Sequence, residues 1–181
     1  MIYLGSASKI RNFEFILKSF KELLDLGIKS KLLILGTIED SLIKVINKLD
    51  LDTHILIDYV PHNLVPYYLE MADVCLSYIP DTPTFRYSCP LKVIEYMAMG
   101  KPVVANRFEA HNNLIKYRVT GILTDNNTED YIQGIKFILL NPKIADNIGI
   151  RAKKYVKNKH SILKMGKKYE VFIKDIYFNK F

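Results

Sequence analysis

The chain has 181 residues, of which 49% are hydrophobic and 25% are charged, a balance typical of a globular protein and not of a disordered one. This length excludes two full-sized domains, and no apolar run reaches the roughly 18–20 residues that span a bilayer. Two cysteines, Cys75 and Cys89, cannot form a disulfide framework or supply four zinc ligands. The first residues lack the pattern of a signal peptide. We therefore expect a cytoplasmic protein without a metal site.

The net charge of +7 comes from one segment near the C-terminus. Residues Arg151–Lys168 contain eight cations and no acid, which leaves 18 cations against 19 acids in the rest of the chain. Such a segment is typical of a solvated helix face, and the second interpretation is peripheral contact with the anionic inner face of a membrane. No nucleic-acid motif accompanies these cations, so we do not expect a nucleic-acid partner.

Apolar runs alternate with helical segments along the chain. A first strand over residues 2–5 precedes a helix that starts at Asn12 and stops at Gly27. Further strands are predicted at residues 31–36, 54–60, 73–79, 102–105 and 120–124, with helices at 39–49, 63–71, 90–99 and 128–140 and two helical pieces that divide near 157–161. This pattern indicates an α/β fold in one domain over residues 1–181, a doubly wound, Rossmann-like, parallel sheet of six strands.

The loop after the first predicted strand is the first candidate site, because ligands of such sheets bind beyond the carboxyl ends of the strands. The loop Gly5–Asn12 contains small residues, two cations at Lys9 and Arg11, and the start of a helix. Helix N-terminal amides attract phosphate, and the two cations would add charge-assisted hydrogen bonds. The loop lacks the further glycines of a dinucleotide-binding fingerprint. It therefore fits either a phosphate contact or, preferably, a solvated turn.

The segment Ser88–Ala105 carries the most specific pattern in the chain. A loop leads into a helix that places Lys92 and Glu95 on one face. The amides of Cys89–Lys92 would bind a nucleotide diphosphate at the helix N-terminus, and Glu95 would accept hydrogen bonds from two ribose hydroxyls. An ordinary surface Lys–Glu pair explains the same two residues equally well on chemistry alone.

This segment resembles the signature of family 4 glycosyltransferases of the GT-B fold, in which a Pro–x–Lys–x–x–Glu-Tyr-Met-Ala–x–Gly-Lys-Pro-Val core precedes the fifth strand of the C-terminal domain. The likeness covers residues 2–175. It implies the donor-binding half of a retaining, metal-independent glycosyltransferase of polysaccharide biosynthesis. Such an enzyme transfers a sugar from a nucleotide-sugar donor, such as a UDP- or GDP-sugar, to a glycan or lipid-linked acceptor, and it needs no cofactor.

The resemblance also implies a missing half. The acceptor-binding N-terminal domain of the family is absent from this chain, so we expect the isolated chain to be inactive. Residues 142–181 correspond to the helical C-terminal tail of the family, which crosses back to the other domain. The catalytic histidine of the family belongs to that absent domain, and the four histidines here are therefore predicted to be structural or solvated.

The resemblance assigns nucleoside and sugar contacts to particular residues. Glu95 corresponds to the family's ribose ligand. The glutamate that contacts the donor sugar falls at Tyr87, which cannot replace a carboxylate. The base is expected near the loop after the third strand, where the backbone of Val60 is the predicted contact.

The family's two diphosphate cations fall at Ser6 and Arg11, so one cation is lost and one is kept. Lys9 is the candidate replacement. The predicted catalytic residues are Arg11, Lys92 and Glu95. The other predicted donor contacts are Gly5, Ser6, Lys9, Val60, Ser88, Cys89, Pro90 and Leu91.

The lost glutamate and the lost cation leave a second hypothesis, in which the chain is a non-catalytic Rossmann-like module that binds a nucleotide or a protein. Sugar transfer remains the preferred function. A separate feature is an apolar stripe on the last helix, formed by Ile162, Met165, Tyr169, Phe172, Ile173 and Ile176. We expect this stripe to pack against the domain, and exposure left by the absent half is the alternative.

Overall fold

The computed structural model describes residues 1–85 and 88–178. Within them the strands are β1 (Ile2–Leu4), β2 (Leu32–Leu35), β3 (Ile55–Asp58), β4 (Cys75–Ser77), β5 (Val103–Asn106) and β6 (Ile122–Thr124). The helices are α1 (Phe13–Asp25), α2 (Asp40–Lys48), α3 (Val65–Glu70), α4 (Leu91–Ala98), α5 (Glu109–Asn112), α6 (Thr128–Leu140), α7 (Pro142–Lys159) and α8 (Ile162–Phe178), with a 3₁₀ turn at His62–Leu64.

All six strands form one parallel sheet in the order β3-β2-β1-β4-β5-β6. The predicted doubly wound α/β sheet is therefore confirmed. The chain builds outward from β1 to β3 and then crosses back to place β4 on the other side of β1. This reversal makes a topological switch point between β1 and β4, and in such sheets the crevice outside the strand ends at that point binds ligands.

Local signals explain most of the element boundaries. Gly27 follows the end of α1 with a φ of 80°, as predicted, because glycine adopts the left-handed conformation without a steric penalty. Asn12 precedes α1 but is itself left-handed, with a φ of 48°, and its side chain makes no capping bond, so its predicted capping contact is wrong. The helix predicted at 63–71 consists of the 3₁₀ turn followed by α3. The short helix α5 was not predicted.

Two hydrophobic clusters cover the two faces of the sheet. One is built mainly from α1, α2 and α6, and the other mainly from α3, α4 and α7. Helix α7 lies against α4 so closely that a Cβ atom on Gly149 would sit 1.9 Å from the carbonyl oxygen of Gly100. This contact holds the C-terminal side of α4 in place.

Helix α8 does not share in this packing. None of its residues is buried, and Ile162 and Leu163 are 86% and 77% exposed. The expected packing of the apolar stripe is therefore wrong, since five of its six residues are exposed and only Met165 is half-buried. Within residues 1–85 and 88–178, no helix has the length and apolar content to cross a membrane.

Candidate functional site

Two glycines bring the carboxyl ends of β1 and β2 together. Gly5 follows β1 with a φ of 107° and donates its amide to the carbonyl of Leu35 at 2.9 Å. A Cβ atom on Gly36 would lie 2.5 Å from the carbonyl oxygen of Gly5. Residues with a side chain are therefore disfavoured at Gly5 and Gly36, and the bare backbone leaves room for groups that approach from α4.

The loop after β1 is fixed to the loop after β2. The hydroxyls of Ser6 and Thr37 are 2.7 Å apart, and the amide of Lys9 donates to Glu39 at 3.1 Å. The side chains of Ser6 and Lys9 are exposed. The hydroxyl of Ser6 and the amide of Lys9 thus contact the loop after β2, and the carbonyl of Ser6 accepts the hydroxyl of Tyr3 at 3.3 Å.

Lys92 and Arg11, by contrast, lie close together at the switch point. The Nζ atom of Lys92 is 3.7 Å from the ring centroid of Tyr3 and 3.6 Å from the point that a Cβ atom on Gly5 would occupy. The guanidinium of Arg11 lies 5.3 Å from the ring centroid of Phe85. Neither cation forms an ion pair with any of the described residues.

The electrostatics at Lys92 reflect this arrangement. Burial and the nearby positive charge of Arg11 lower the pKa of Lys92 to about 7, although the negative charge of Glu95 partly opposes them. Arg11 also opposes the effect of burial on Tyr3, whose pKa rises to about 12. The switch point thus holds two neighbouring basic groups, and no carboxylate of residues 1–85 and 88–178 forms an ion pair with them.

The start of α4 supplies fewer free amides than predicted. The amide of Leu91 already donates to the carbonyl of Cys89 at 2.9 Å, so its predicted role as a phosphate donor is not supported. Ser88 directs both its amide and its hydroxyl to the carbonyl of Phe85. Pro90 has no N–H group. The amides of Cys89 and Lys92 remain, since no acceptor for either is found among the described residues.

Glu95 faces the loop after β3. Its Oε1 atom is 3.0 Å from Nε2 of His62, and its side chain is 34% exposed. In the same loop, the amide and the carbonyl of Val60 have no hydrogen-bond partner in the part of the chain that the structure describes. The predicted ribose and base contacts therefore lie on facing elements. Sequence reasoning missed His62, and the only signal was its place two residues after Val60.

The tyrosine of the signature has a structural task. The buried hydroxyl of Tyr96 accepts the amide of Leu4 at 2.6 Å and donates to the carbonyl of Leu76 at 3.4 Å. Strands β1 and β4 pair at Ile2 and Cys75 only, so this hydroxyl joins them where their own ladder ends. Tyr96 therefore fixes α4 to the switch point.

A second buried network supports the loops after β4 and β5. The Nε2 atom of His111 is 2.9 Å from the hydroxyl of Ser77, and its Nδ1 atom is 2.9 Å from the carbonyl of Asn106. The Asn106 side chain bonds both the amide and the carbonyl of Ile79. Burial lowers the pKa of His111 to about 4, so its ring is neutral at neutral pH.

Two concave regions lie away from the switch point. A cavity of about 280 Å³ lined by Arg107, Tyr117 and Arg118 lies beside β6, and a larger groove beside Met1 and Lys31 lies at the opposite end of the sheet. Neither includes a predicted site residue. The candidate site therefore rests on converging charged groups. Tyr87, the position of the missing glutamate, lies outside the described residues.

The sheet order and the basic switch point define a Rossmann-like domain with a candidate anion-binding crevice. Residues 1–155 match the model of the family described as glycosyl transferases group 1. The chain belongs to this family.

Similar proteins agree with this assignment. An uncharacterized glycosyltransferase of Haemophilus influenzae is 27% identical over 150 residues, which are 80% of this chain and 40% of the relative. A glycosyltransferase from Rickettsia africae has a TM-score of 0.83 at 21% identity, over 97% of this chain and 48% of its own. Anabaena Alr3699/HepE, in complex with UDP and glucose, has a TM-score of 0.80 at 14% identity, over 96% of this chain and 48% of its own. The chain thus spans less than half the length of these three proteins.

Proposed function

We propose that this chain is the donor-binding domain of a glycosyltransferase and that the crevice between β1 and β4 binds a nucleotide-diphosphate sugar. The observation that carries the proposal is Lys92. A half-buried ammonium without a paired acid is unfavourable, and the face of Tyr3 offsets only part of its lost hydration. A diphosphate at this place would supply the missing negative charge.

The chemistry follows from where the charge develops. In sugar transfer the bond between the anomeric carbon and a diphosphate oxygen breaks, and the diphosphate leaves with the electron pair. The acceptor hydroxyl bonds to the anomeric carbon through its oxygen and releases its proton. Lys92 and Arg11 would stabilise the growing negative charge, together with the amide of Lys92. One such preorganised contact typically lowers the barrier by about 2.7–4 kcal/mol.

The nucleoside would extend from α4 toward β3. Glu95 would accept hydrogen bonds from the ribose hydroxyls, and the unpartnered amide and carbonyl of Val60 would meet the edge of the base. UDP is the first nucleotide to test, because the Anabaena protein of the same fold was obtained with UDP and glucose. Family membership favours this function over a non-catalytic module.

We extend the proposal to the whole reaction. The acceptor, a glycan or a lipid-linked glycan, would bind to a second domain that is not among these 181 residues, and transfer would proceed with retention and without a metal ion. This chain covers less than half the length of each related protein, which supports the proposal of a second domain. The isolated chain should therefore bind donor and transfer no sugar.

Residues 142–181 would approach that other half through α8, whose apolar stripe is exposed.

The basic segment Arg151–Lys168 is proposed as a peripheral contact with anionic lipid. The cations of α7 in this segment are exposed on its outer face. Sedimentation with vesicles of neutral or anionic lipid tests this contact. Binding to anionic vesicles alone that is lost at high salt is expected, and equal binding to neutral vesicles would contradict an electrostatic contact.

A titration of the chain with UDP, GDP and ADP tests the donor site. Saturable binding of one of them is expected, and the substitutions Lys92→Met and Arg11→Ala should weaken it about tenfold or more, because each removes a charge-assisted contact. Lys44→Met is the matched control, since Lys44 is exposed on α2. Absence of binding by all three nucleotides, or equal affinity in Lys92→Met and Lys44→Met, would refute the site.

A further inference from the structure

His62 makes a contact that the proposed function does not yet use. Its side chain is 84% exposed, yet its Nε2 atom lies 3.0 Å from Oε1 of Glu95. The two residues are 33 positions apart in the chain and belong to different elements, the 3₁₀ turn after β3 and helix α4. The contact therefore joins the loop proposed for the base to the carboxylate proposed for the ribose.

The backbone under His62 is constrained. Pro61 precedes it, the amide of Leu64 donates to the carbonyl of Pro61 at 2.9 Å, and the amide of Val65 donates to the carbonyl of His62 itself. A fixed φ at proline and two short-range hydrogen bonds leave this turn little freedom. The imidazole is thus presented toward α4 by an ordered segment.

Glu95 depends on this contact for its orientation. Among the described residues, its carboxylate has no hydrogen-bond partner other than His62. Lys92, one turn earlier on α4, lies on the ring of Tyr3 and forms no ion pair with Glu95. A carboxylate only accepts hydrogen bonds, so the Nε2 atom of His62 carries the proton in this pair.

We propose that His62 is a positioning residue for ribose recognition. It holds Oε1 of Glu95 and leaves Oε2 free to accept from a ribose hydroxyl. The inference rests on the proposed function, since it needs a nucleoside beside Glu95. An unrestrained glutamate would lose side-chain freedom on binding, and ordering one such side chain weakens affinity about two- to tenfold. Because His62 already orders the side chain of Glu95 in the free chain, this loss of side-chain freedom does not weaken binding.

Discrimination between a ribonucleotide and its 2′-deoxy counterpart tests the inference, because a merely structural contact would not change this ratio. The nucleotide that binds best among UDP, GDP and ADP is compared with its 2′-deoxy form on the full chain. His62→Leu removes the donor, and His62→Gln keeps an N–H near the position of Nε2. Asn63→Leu, at the next exposed residue of the turn, controls for disturbance of the backbone.

The wild type and Asn63→Leu should prefer the ribonucleotide, and Glu95→Ala should lose that preference. His62→Leu should lower the preference about two- to tenfold, with a smaller loss of affinity for the deoxy form, which keeps its 3′-hydroxyl, and His62→Gln should recover most of it. An unchanged ratio in His62→Leu overturns the inference while the proposed function stands. Tighter ribonucleotide binding by His62→Leu also overturns it, because His62 would then compete with the ribose. Absence of nucleotide binding by the wild type refutes the proposed function itself.

Discussion

Lys92 and His111 are two basic side chains withdrawn from water at the same end of the sheet, and they differ in their partners. Both nitrogens of His111 have a partner, in Ser77 and Asn106. Lys92 lies on the face of Tyr3 and has no acid as ion-pair partner in the described part of the chain. A buried group with all its hydrogen bonds made belongs to the structure, whereas a charge left without a counter-ion is poised for a ligand.

The largest expected effect concerns acid stability. The folded chain keeps His111 neutral down to its pKa of about 4, whereas the unfolded chain binds a proton below about 6.5. Between these values the unfolded state holds more protons, so stability falls as the pH is lowered, by about 3 kcal/mol in total. Urea unfolding between pH 7 and pH 4 measures this loss.

The control for that measurement is His111→Gln, which removes the titrating ring. This variant should be less stable at pH 7 but should lose less stability on acidification than the wild type. Equal losses in the two proteins would show that His111 does not distinguish the folded from the unfolded chain.

Replacement of Lys92 should raise the stability of the chain at pH 7, whereas replacement of His111 should lower it. The pKa of Lys92 is lowered to about 7, so the wild type gains stability as the pH rises from about 7 toward 10, where the unfolded chain still holds the proton. Lys92→Met removes the burial of this charge and should stabilise the free chain at pH 7 by about 1–3 kcal/mol, after discount for solvent screening. Urea unfolding of both proteins provides the measurement. A less stable Lys92→Met variant would mean that the lysine serves the fold.

Loss of the Tyr96 hydroxyl should have an effect of similar size but opposite sign, because Tyr96, like His111, serves the fold. Tyr96→Phe leaves the amide of Leu4 without its partner at a partly buried position, which costs about 1–3 kcal/mol. Thermal or urea unfolding measures this loss. A stability equal to that of the wild type would show that the hydroxyl does not join β1 to β4 in solution.

The smallest effect is expected at Lys9. Its side chain is exposed and its amide is bound to Glu39, so Lys9→Ala should change nucleotide affinity less than about twofold, as is usual for a solvated surface charge. Arg11→Ala, in the same loop, should weaken the affinity about tenfold. If Lys9→Ala weakened binding as much as Arg11→Ala, Lys9 would replace the lost family cation after all.

The sheet could be predicted because its signals are local. Continuous apolar strands, glycines after β1 and β2, and helices of normal length appear within short windows of sequence. Helix α5 was not predicted because a segment of four residues is too short to show a helical periodicity of apolar residues. The exposure of the stripe on α8 depends on what lies beside it, which no property of the helix itself reveals.

The site was only partly predictable for a related reason. The proximity of Lys92 to Arg11 follows from their positions at α4 and in the loop after β1, once a parallel sheet is assumed. The bond from the Leu91 amide to Cys89 is a matter of local backbone geometry that residue types do not specify. The contact between His62 and Glu95 joins an exposed loop to a helix, and no periodic pattern connects such positions.

The protonation of Lys92 tests the central claim most directly. NMR of the chain with ¹³C-labelled lysine follows the titration of this ammonium with and without UDP, or with whichever nucleoside diphosphate binds. We predict a pKa of about 7 in the free chain that rises when the diphosphate binds, since nearby negative charge favours the ammonium. An unchanged pKa of Lys92 in the saturated complex would contradict a diphosphate site at the switch point.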